Sequence, residues 1–470
     1  MKTTIAQYLS RAVFLLSLAL LQSCGGSGGG GSSSPPGILF YALTEDSSGN
    51  GSIVENAISP SGQLYSLAPS PISTGGTNPV VFLLDPNASL AFALNSNSSP
   101  SSFQNGLIES YNTSTAQSTT GITSTSYTRT GTNPTSMAVD PGGNYLVVAN
   151  HGSGTTNSST GDVEIFGIGS NGALSGPTIL SSLPQNSCPN PDKIVFPPSG
   201  SNGTTSDTFY VVCSSPELIS SSPPTPALYR CQISGSCSTN LLSSFPNSNA
   251  ISNMEFASNG TAFLPGETYS SSSSSYNAFL ITCNGTPLSS CTSPTPISSA
   301  TDTAPAGDFA IYNGSPPTAF IGNYSTSVSG TSTVLTNPGV FFSCAASSCS
   351  NLSYPSSSGD PTYLATGPGQ ANLYIVSTPD PLPTDTSNIS NSPSGSIYYC
   401  SLPTASACTQ TGTTSNYPVG ITFDPSGKFA FVPTWSGTIS IFQVGSNGAL
   451  TPAASPVVTT GNLNLQVVVP

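Results

Sequence analysis

Basic side chains are scarce in this sequence. Its 470 residues include six Lys and Arg against 19 Asp and Glu, and charged residues make up 5% of the chain, where soluble domains usually have about 25%. Two of the six basic residues lie in an N-terminal segment that we expect to be removed, and the others are Arg129, Lys193, Arg230 and Lys428. Binding to nucleic acid needs clustered basic groups that neutralise phosphates. The net charge of −13 therefore excludes a nucleic-acid partner.

Histidine and tryptophan each occur once, whereas the chain contains 46 Gly and 43 Pro. So many Gly and Pro residues predict frequent turns and argue against long helices. A structural zinc site would need CxxC pairs together with more than one His, so we expect no metal and no cofactor. Hydrophobic residues make up 36% of the chain, which is enough to form a core.

The N-terminus has the three parts of an export signal. Lys2 and Arg11 provide the positive charge, and the apolar run at residues 12–21 is shorter than the roughly 20 residues that span a bilayer. The run ends in a Leu-Gln-Ser-Cys sequence at Cys24, which resembles the bacterial lipobox, where the Cys is acylated and becomes the new N-terminus. An ordinary secretory signal followed by a chance Cys is the alternative.

We therefore expect a lipoprotein signal peptide at 1–23, a Gly/Ser-rich tether at 24–37 and a folded domain at 38–470. Several acyl chains on one Cys make a stable anchor, so the first expected partner is a membrane, held through the lipid on Cys24. A flexible tether of this length reaches about 20 Å. No acidic residue follows Cys24 directly, and by resemblance to Gram-negative lipoproteins this places the protein in the bacterial cell envelope, at the outer rather than the inner membrane.

The other ten Cys residues fit an exported protein. In an oxidising compartment, an even number of Cys at regular spacing indicates a disulfide framework. The spacing predicts five pairs, which are Cys188–Cys213, Cys231–Cys237, Cys283–Cys291, Cys344–Cys349 and Cys400–Cys408.

A repeated unit runs through the chain. The two clearest copies begin at Pro134 (PTSMAVDPGGNYLVVAN) and Pro418 (PVGITFDPSGKFAFVPT), and each joins two apolar strands through an Asp-Pro-x-Gly turn. Val-, Ile-, Phe- and Tyr-rich strands joined by such turns are typical of antiparallel hairpins, and the turn Asp is expected to hydrogen-bond its own backbone. The first strands of successive units end 54 to 60 residues apart, at Asp85, Asp140, Phe196, Phe256, Ile311, Ala365 and Asp424.

The first unit lacks a first strand, and the C-terminus supplies one at residues 463–469. A terminal strand that completes the opening unit closes a ring and removes exposed sheet edges. We therefore predict an all-β fold, a β-propeller of eight four-stranded blades closed by the C-terminal strand joining the N-terminal blade, with seven blades as the alternative. The repeats resemble the lactonase-type propellers, the family of 6-phosphogluconolactonase and the YVTN-repeat proteins, which usually have seven blades.

Candidate binding residues share one face of such a ring. The loops between second and third strands and the connections from fourth to first strands lie there, and we call it the loop face. His151 and Trp435 each lie 11 residues after the turn Asp of their units, and Glu45, Glu217 and Glu267 also follow second strands. We predict a binding site with Trp435 as a stacking platform and His151 as a hydrogen-bonding group, although strand-end packing and solvated rim charges would also explain these residues. Long loops are expected on this face at 214–226, 265–276, 322–337 and 377–395.

Two functions follow from these residues. A 6-phosphogluconolactonase would hold a phosphate through Arg, Lys or helix N-termini, yet Lys428 and Arg230 are predicted near the opposite face. We therefore favour a non-catalytic binding or scaffold protein of the cell envelope, with a protein or glycan as the partner of the loop face. The alternative is a lactonase-like hydrolase acting on a lactone, with His151 as its candidate catalytic base.

Overall fold

The structure is a computed structural model. It describes residues 37–67, 70–97, 104–113, 122–152, 161–183, 188, 190–198, 207–213, 227–242, 249–251, 253–270, 275–285, 287–297, 306–323, 327–329, 332–334, 340–345, 348–352, 360–378, 394–460 and 463–470. Within these ranges the chain forms strands and turns, apart from one turn of 3-10 helix at Pro368–Gln370. No helix of the described ranges is long and apolar enough to cross a membrane.

The described strands form eight antiparallel sheets, which are the blades of one propeller ring, and a separate two-stranded hairpin. Strands within a blade pair in the order first, second, third, fourth, from the centre of the ring outward. The predicted eight-bladed, all-β propeller is therefore confirmed.

The first four blades follow the repeats of the sequence. Blade 1 contains β1 (Ile38–Glu45), β2 (Asn50–Ile58), β3 (Leu64–Ser66), β4 (Ile72–Thr77) and the C-terminal strand β36 (Leu463–Val468); blade 2 contains β5 (Pro79–Leu84), β6 (Leu90–Asn95), β7 (Asn105–Asn112) and β8 (Thr123–Thr132); blade 3 contains β9 (Pro134–Val139), β10 (Tyr145–Asn150), β11 (Asp162–Ile168) and β12 (Leu174–Ile179); blade 4 contains β13 (Pro191–Val195), β14 (Thr208–Cys213) and β15 (Ala227–Gln232).

The last four blades complete the ring. Blade 5 contains β16 (Asn249–Ile251), β17 (Glu255–Phe256), β18 (Ala262–Ser270), β19 (Ser275–Asn284), β20 (Ser290–Cys291) and β21 (Thr295–Pro296); blade 6 contains β22 (Ala306–Tyr312), β23 (Thr318–Asn323), β26 (Val340–Ala345) and β27 (Ser348–Leu352), with the hairpin β24 (Ser327–Ser329) and β25 (Ser332–Val334) inserted; blade 7 contains β28 (Asp360–Thr366), β29 (Asn372–Thr378), β30 (Ser394–Ser401) and β31 (Cys408–Asn416); blade 8 contains β32 (Thr422–Phe423), β33 (Phe429–Thr434), β34 (Thr438–Val444) and β35 (Leu450–Thr459).

The C-terminal strand closes the ring. β36 pairs antiparallel with β1, with Val468 opposite Tyr41 and Asn464 opposite Thr44. β36 therefore takes the innermost place in blade 1, which is the place of the first strand in the other blades. Closure leaves no innermost strand unpaired.

The apolar core is divided into layers between neighbouring blades. In the described residues there are eight such clusters, each built from two successive blades. The layer between blades 8 and 1 contains Phe40 and Phe431, whose rings lie 4.6 Å apart. The layer between blades 1 and 2 contains Tyr41 and Phe82, at 5.6 Å. Full burial of one such side chain stabilises the fold by about 1.5–3 kcal/mol, so each blade depends on both neighbours.

Turns on the face opposite the loop face are held by buried Asp side chains. Asp140 is 1% exposed, and its Oδ1 accepts the N–H groups of Asn144 and Tyr145 at 2.6 Å each. Asp424 likewise accepts the N–H of Phe429 at 2.6 Å. These bonds within the turn are the ones that the Asp-Pro-x-Gly motif predicts. We call this side of the ring the turn face.

Five disulfides staple the chain, and they join the same pairs that the spacing predicts. In the four short-range pairs the two Cys lie directly opposite each other across a hairpin, as Cys400 and Cys408 do between β30 and β31. Both Cys188 and Cys213 are buried, in the layer between blades 3 and 4.

Two blades depart from the simple repeat. The loop expected at 265–276 is instead a hairpin extension, because β18 continues to Ser270 and β19 begins at Ser275. In blade 4 the segment after Cys237 takes the fourth-strand position without regular pairing, with the N–H of Leu241 bonded to the carbonyl of Leu228 at 2.9 Å. Of the other expected loops, 214–226 lies outside the described residues.

We predict that Asp140→Ala lowers the free energy of unfolding by about 1.5–3 kcal/mol, because two part-buried hydrogen bonds lose a charged acceptor. Denaturant unfolding of the full chain measures the change. Asp140→Asn keeps one carbonyl acceptor, so it should lower the free energy of unfolding clearly less than Asp140→Ala. Equal losses for the two variants would contradict the hydrogen-bonding role.

We also predict that replacing both Cys400 and Cys408 by Ser lowers the free energy of unfolding by about 2–3 kcal/mol, the chain-entropy estimate for so short a loop. Peptide mapping of the wild-type protein without reduction should recover each hairpin with its own bridge. A bridge between two different hairpins would show that the pairing is wrong.

Candidate binding face

One register position recurs at the loop-face end of the second strands. In blade 2, Asn95 pairs with Pro79, and the next residue, Ser96, donates its N–H to the carbonyl of Asn78 at 2.9 Å. Asn78 has a positive φ of 51°, which Asn tolerates better than most residues. The bond ties the end of the second strand to the connection that enters the first strand.

His151 and Trp435 occupy this same position in blades 3 and 8. The N–H of His151 bonds the carbonyl of Asn133 at 3.0 Å, and the N–H of Trp435 bonds the carbonyl of Tyr417 at 2.9 Å. Asn133 and Tyr417 also have positive φ, like Asn78. The structure therefore gives His151 and Trp435 equivalent backbone positions, as their spacing from the turn Asp predicts.

The strand pairing shows which residues occupy the same position in three more blades. In blade 1, Thr44 pairs with Asn464, so that Glu45 follows; in blade 5, Gly266 pairs with Ile251, so that Glu267 follows. In blade 7, Ser377 pairs with Pro361 and Thr378 follows. We call these six residues the ring positions: Glu45, Ser96, His151, Glu267, Thr378 and Trp435. The side chains at this position in blades 4 and 6, and Glu217, lie outside the described residues.

Glu45 and Glu267 have carboxyl groups that burial disfavours in the charged form. Glu45 is 9% exposed, and burial, with a smaller contribution from the charge of Asp46, raises its pKa to about 7. Burial raises the pKa of Glu267 to about 7 as well, and its Oε2 is buried without a hydrogen-bond partner. Neither carboxyl accepts a hydrogen bond from the described residues, so both are half-protonated near neutral pH.

Trp435 lies in the tight turn between β33 and β34. It is half-buried and packs against the layer between blades 7 and 8. Its ring lies 6.3 Å from the ring of Tyr417, which is itself buried. The indole is therefore held by packing on one side, while part of it faces solvent.

A buried polar cluster supports the loop face beneath His151. Asn150 donates through Nδ2 to Asp162 Oδ1 at 2.7 Å, and Thr130 Oγ1 lies 3.0 Å from Asn150 Oδ1 and 2.5 Å from Glu164 Oε2. Burial raises the pKa of Glu164, and these hydrogen bonds oppose that shift. This cluster is not predicted from the sequence, although an equivalent contact recurs at Asn95 of blade 2, where Thr74 Oγ1 donates to Asn95 Oδ1 at 2.6 Å.

Another buried polar contact joins blades 4 and 5. Lys193 Nζ donates to Asn253 Oδ1, and both side chains are 7% exposed. Burial raises the pKa of nearby Glu255 to about 7, and the positive charge of Lys193 partly opposes that shift. Lys193, one of the four basic residues of the domain, thus forms a contact between two blades. This contact is not predicted from the sequence either.

The ring positions surround the opening and do not form one compact cluster. Glu45 and Glu267 belong to blades 1 and 5, on opposite sides of an eight-bladed ring, and His151 belongs to blade 3. Trp435, in blade 8, is one blade away from Glu45. Across the described ranges, no group of three or more His, Cys, Asp and Glu side chains could hold a metal ion. The arrangement suits a ligand that spans the opening.

Comparisons with known proteins agree with the architecture. Residues 41–194, from β1 to β13, match the family described as Lactonase, 7-bladed beta-propeller. No curated protein matches the chain.

Solved structures resemble the chain at low sequence identity. Sqt1 from Chaetomium thermophilum is 11% identical, with 80% of this chain and 85% of that chain covered and a TM-score of 0.50. Hydrazine synthase from Kuenenia stuttgartiensis is 13% identical, with 81% and 99% covered and a TM-score of 0.49. A protein from Lactobacillus plantarum is 14% identical, with 81% and 96% covered and a TM-score of 0.45. The match over residues 41–194 and the ring of repeated four-stranded sheets support a fold of the lactonase-type β-propeller kind, with eight blades in the described residues where the family description has seven.

Proposed function

We propose that this protein is a lipid-anchored, extracytoplasmic propeller of the bacterial cell envelope that binds a protein or glycan on its loop face without catalysing a reaction. The observation that carries the proposal is the chemistry of the ring positions. The repeats place Asp at the same turn in blades 2, 3 and 8, where packing requires it. The ring positions are also equivalent in their backbone, but their side chains differ between blades and include Glu, His and Trp. The fold therefore does not dictate these side chains.

The compartment follows in part from the disulfides. Five bridges indicate an oxidising, extracytoplasmic environment. Acylation at Cys24 and placement at the outer membrane are parts of the proposal, supported by the lipobox-like sequence and the tether that follows it.

A lactone hydrolase is the second candidate function. It is favoured by the family match and by Glu45 and Glu267, because a carboxyl with a pKa of about 7 suits a general base near neutral pH. Turnover of simple lactones by the purified protein, abolished by Glu45→Gln or Glu267→Gln, would replace the binding proposal with this one.

We predict that Trp435→Ala weakens partner binding at least several-fold, because the indole supplies stacking area to the ligand. His151→Ala should weaken binding through the loss of a hydrogen bond. Pull-down yield against envelope extracts, with the melting temperature as a check on folding, measures both effects. Tyr127, 74% exposed on the outer strand β8, offers a matched control, and Tyr127→Ala should leave binding unchanged. A large fall in melting temperature with unchanged binding per folded molecule would assign His151 and Trp435 to packing.

We predict that Cys24→Ser releases the protein from membranes, because the acylated thiol is the proposed anchor. Fractionation of cells that express the wild type or the variant measures the released share. If the variant pellets with membranes to the same extent as the wild type, the anchor is not at Cys24.

A further inference from the structure

The buried carboxyls of this chain differ in whether the protein supplies them with a donor. Glu109 is bonded by the hydroxyl of Ser124. Glu55 accepts the N–H of Ile122 through Oε2 at 3.0 Å, while its Oε1 is buried without a partner. At the ring positions, Glu45 and Glu267 accept no hydrogen bond from the described residues, although Glu45 is 9% exposed and Glu267 Oε2 is buried. A buried polar group without a partner destabilises the protein. The missing donors of Glu45 and Glu267 are therefore expected to come from outside the chain.

The positions of these two carboxyls restrict the ligand. They occupy one register position in blades 1 and 5, and these blades face each other across a ring of eight. A single small group cannot reach both carboxyls. A ligand that satisfies both must span the opening and carry at least two donors.

Charge decides which donors fit. None of the six ring positions is Lys or Arg, and the chain carries a net charge of −13. A hydroxyl donor would leave a desolvated carboxyl largely protonated, whereas an ammonium or guanidinium group stabilises the carboxylate and forms the stronger, charge-assisted bond. A cationic ligand therefore gains more from this site than a neutral one.

Few other charges act on the two groups. Asp46 follows Glu45 and adds to its raised pKa, and on the strands beside β1, Glu55 is the one charged residue. The strands that pair with β18, namely β16, β17 and β19, include one charged residue, Glu255, which pairs with Phe263 and has the positive charge of Lys193 nearby. In the next blade Asp308 belongs to β22 and Glu109 to β7. The negative charges among these groups also favour a cation.

We propose that the loop face binds a basic peptide segment, with Lys or Arg side chains that reach Glu45 and Glu267 from the central opening and displace their protons. This inference rests on the proposed binding function and names its partner class. Because the carboxyls release protons when the cations arrive, binding strengthens as the pH rises through the pKa of each group, about 7. The gain from about pH 6 to about pH 8 is up to about tenfold for each carboxyl.

Isothermal titration of the full-length Cys24→Ser protein with short oligolysine peptides tests the proposal. We expect binding that strengthens over this pH range and a heat that depends on the ionisation enthalpy of the buffer, which reports proton release. Glu45→Gln and Glu267→Gln should each weaken binding about tenfold at high pH and remove their share of the released protons, at an unchanged melting temperature. Asp207, exposed on the turn face, is the matched control, and Asp207→Asn removes one charge without these effects.

Several results would overturn the proposal. Binding of oligolysine that Asp207→Asn weakens as much as Glu267→Gln would reflect net charge alone. Equal binding of a neutral oligoglutamine peptide, or binding of an amino-sugar polymer in place of oligolysine, would assign another ligand class. Binding of a neutral glycan that depends on Trp435 but not on Glu45 or Glu267 would leave the proposed binding function in place and reject the basic peptide.

Discussion

The structure depends on one constraint, which is that a blade cannot bury its two apolar faces alone. Each of the eight core layers in the described residues is shared by two successive blades. The layer between blades 8 and 1 needs Phe40 and Val467 next to Phe431, and so it needs both ends of the domain. Side chains bind β36 to both neighbouring blades, since Gln466 Oε1 accepts the N–H of Phe82 in blade 2 at 3.0 Å and Thr422 Oγ1 in blade 8 donates to the carbonyl of Val467 at 3.2 Å. Ring closure is thus a condition for a complete core.

The two faces of the closed ring differ in the role of their polar side chains. On the turn face, the carboxylates of Asp85, Asp140 and Asp424 accept hydrogen bonds from N–H groups of their own turns. The disulfide-linked hairpins lie on the same side of the ring. On the loop face of blades 2, 3 and 8, one backbone hydrogen bond holds the ring position, as for His151 and Trp435, and these three positions carry different side chains.

Features that depend on local spacing could be predicted from the sequence. The period of the strands, the Asp turns and the partners of Cys283 and Cys400 all lie within one repeat, where alternation and turn residues report the geometry. The bonds of Lys193 to Asn253 and of Thr130 to Glu164 join segments 60 and 34 residues apart, and no short-range pattern marks them. The equivalence of Glu45 and Glu267 with His151 also depends on register shifts at the start of the first strands, which only the pairing reveals.

Buried acids show the same limit. Glu45, Glu109 and Glu267 cannot be told apart by composition. The hydroxyl of Ser124 donates a hydrogen bond to Glu109, whereas Glu45 and Glu267 lack a donor among the described residues. The difference arises from whether a donor lies beside the carboxyl, as Ser124 on the neighbouring strand β8 does for Glu109 on β7.

Hydrogen exchange of the intact protein, followed by mass spectrometry, tests the closed ring most directly. If β36 is the innermost strand of blade 1, amides of Leu463–Val468 and of their partners in β1 should exchange as slowly as those of the inner strands β5 and β9. Fast exchange of Leu463–Val468 while β5 and β9 remain protected would show an open ring and contradict the account.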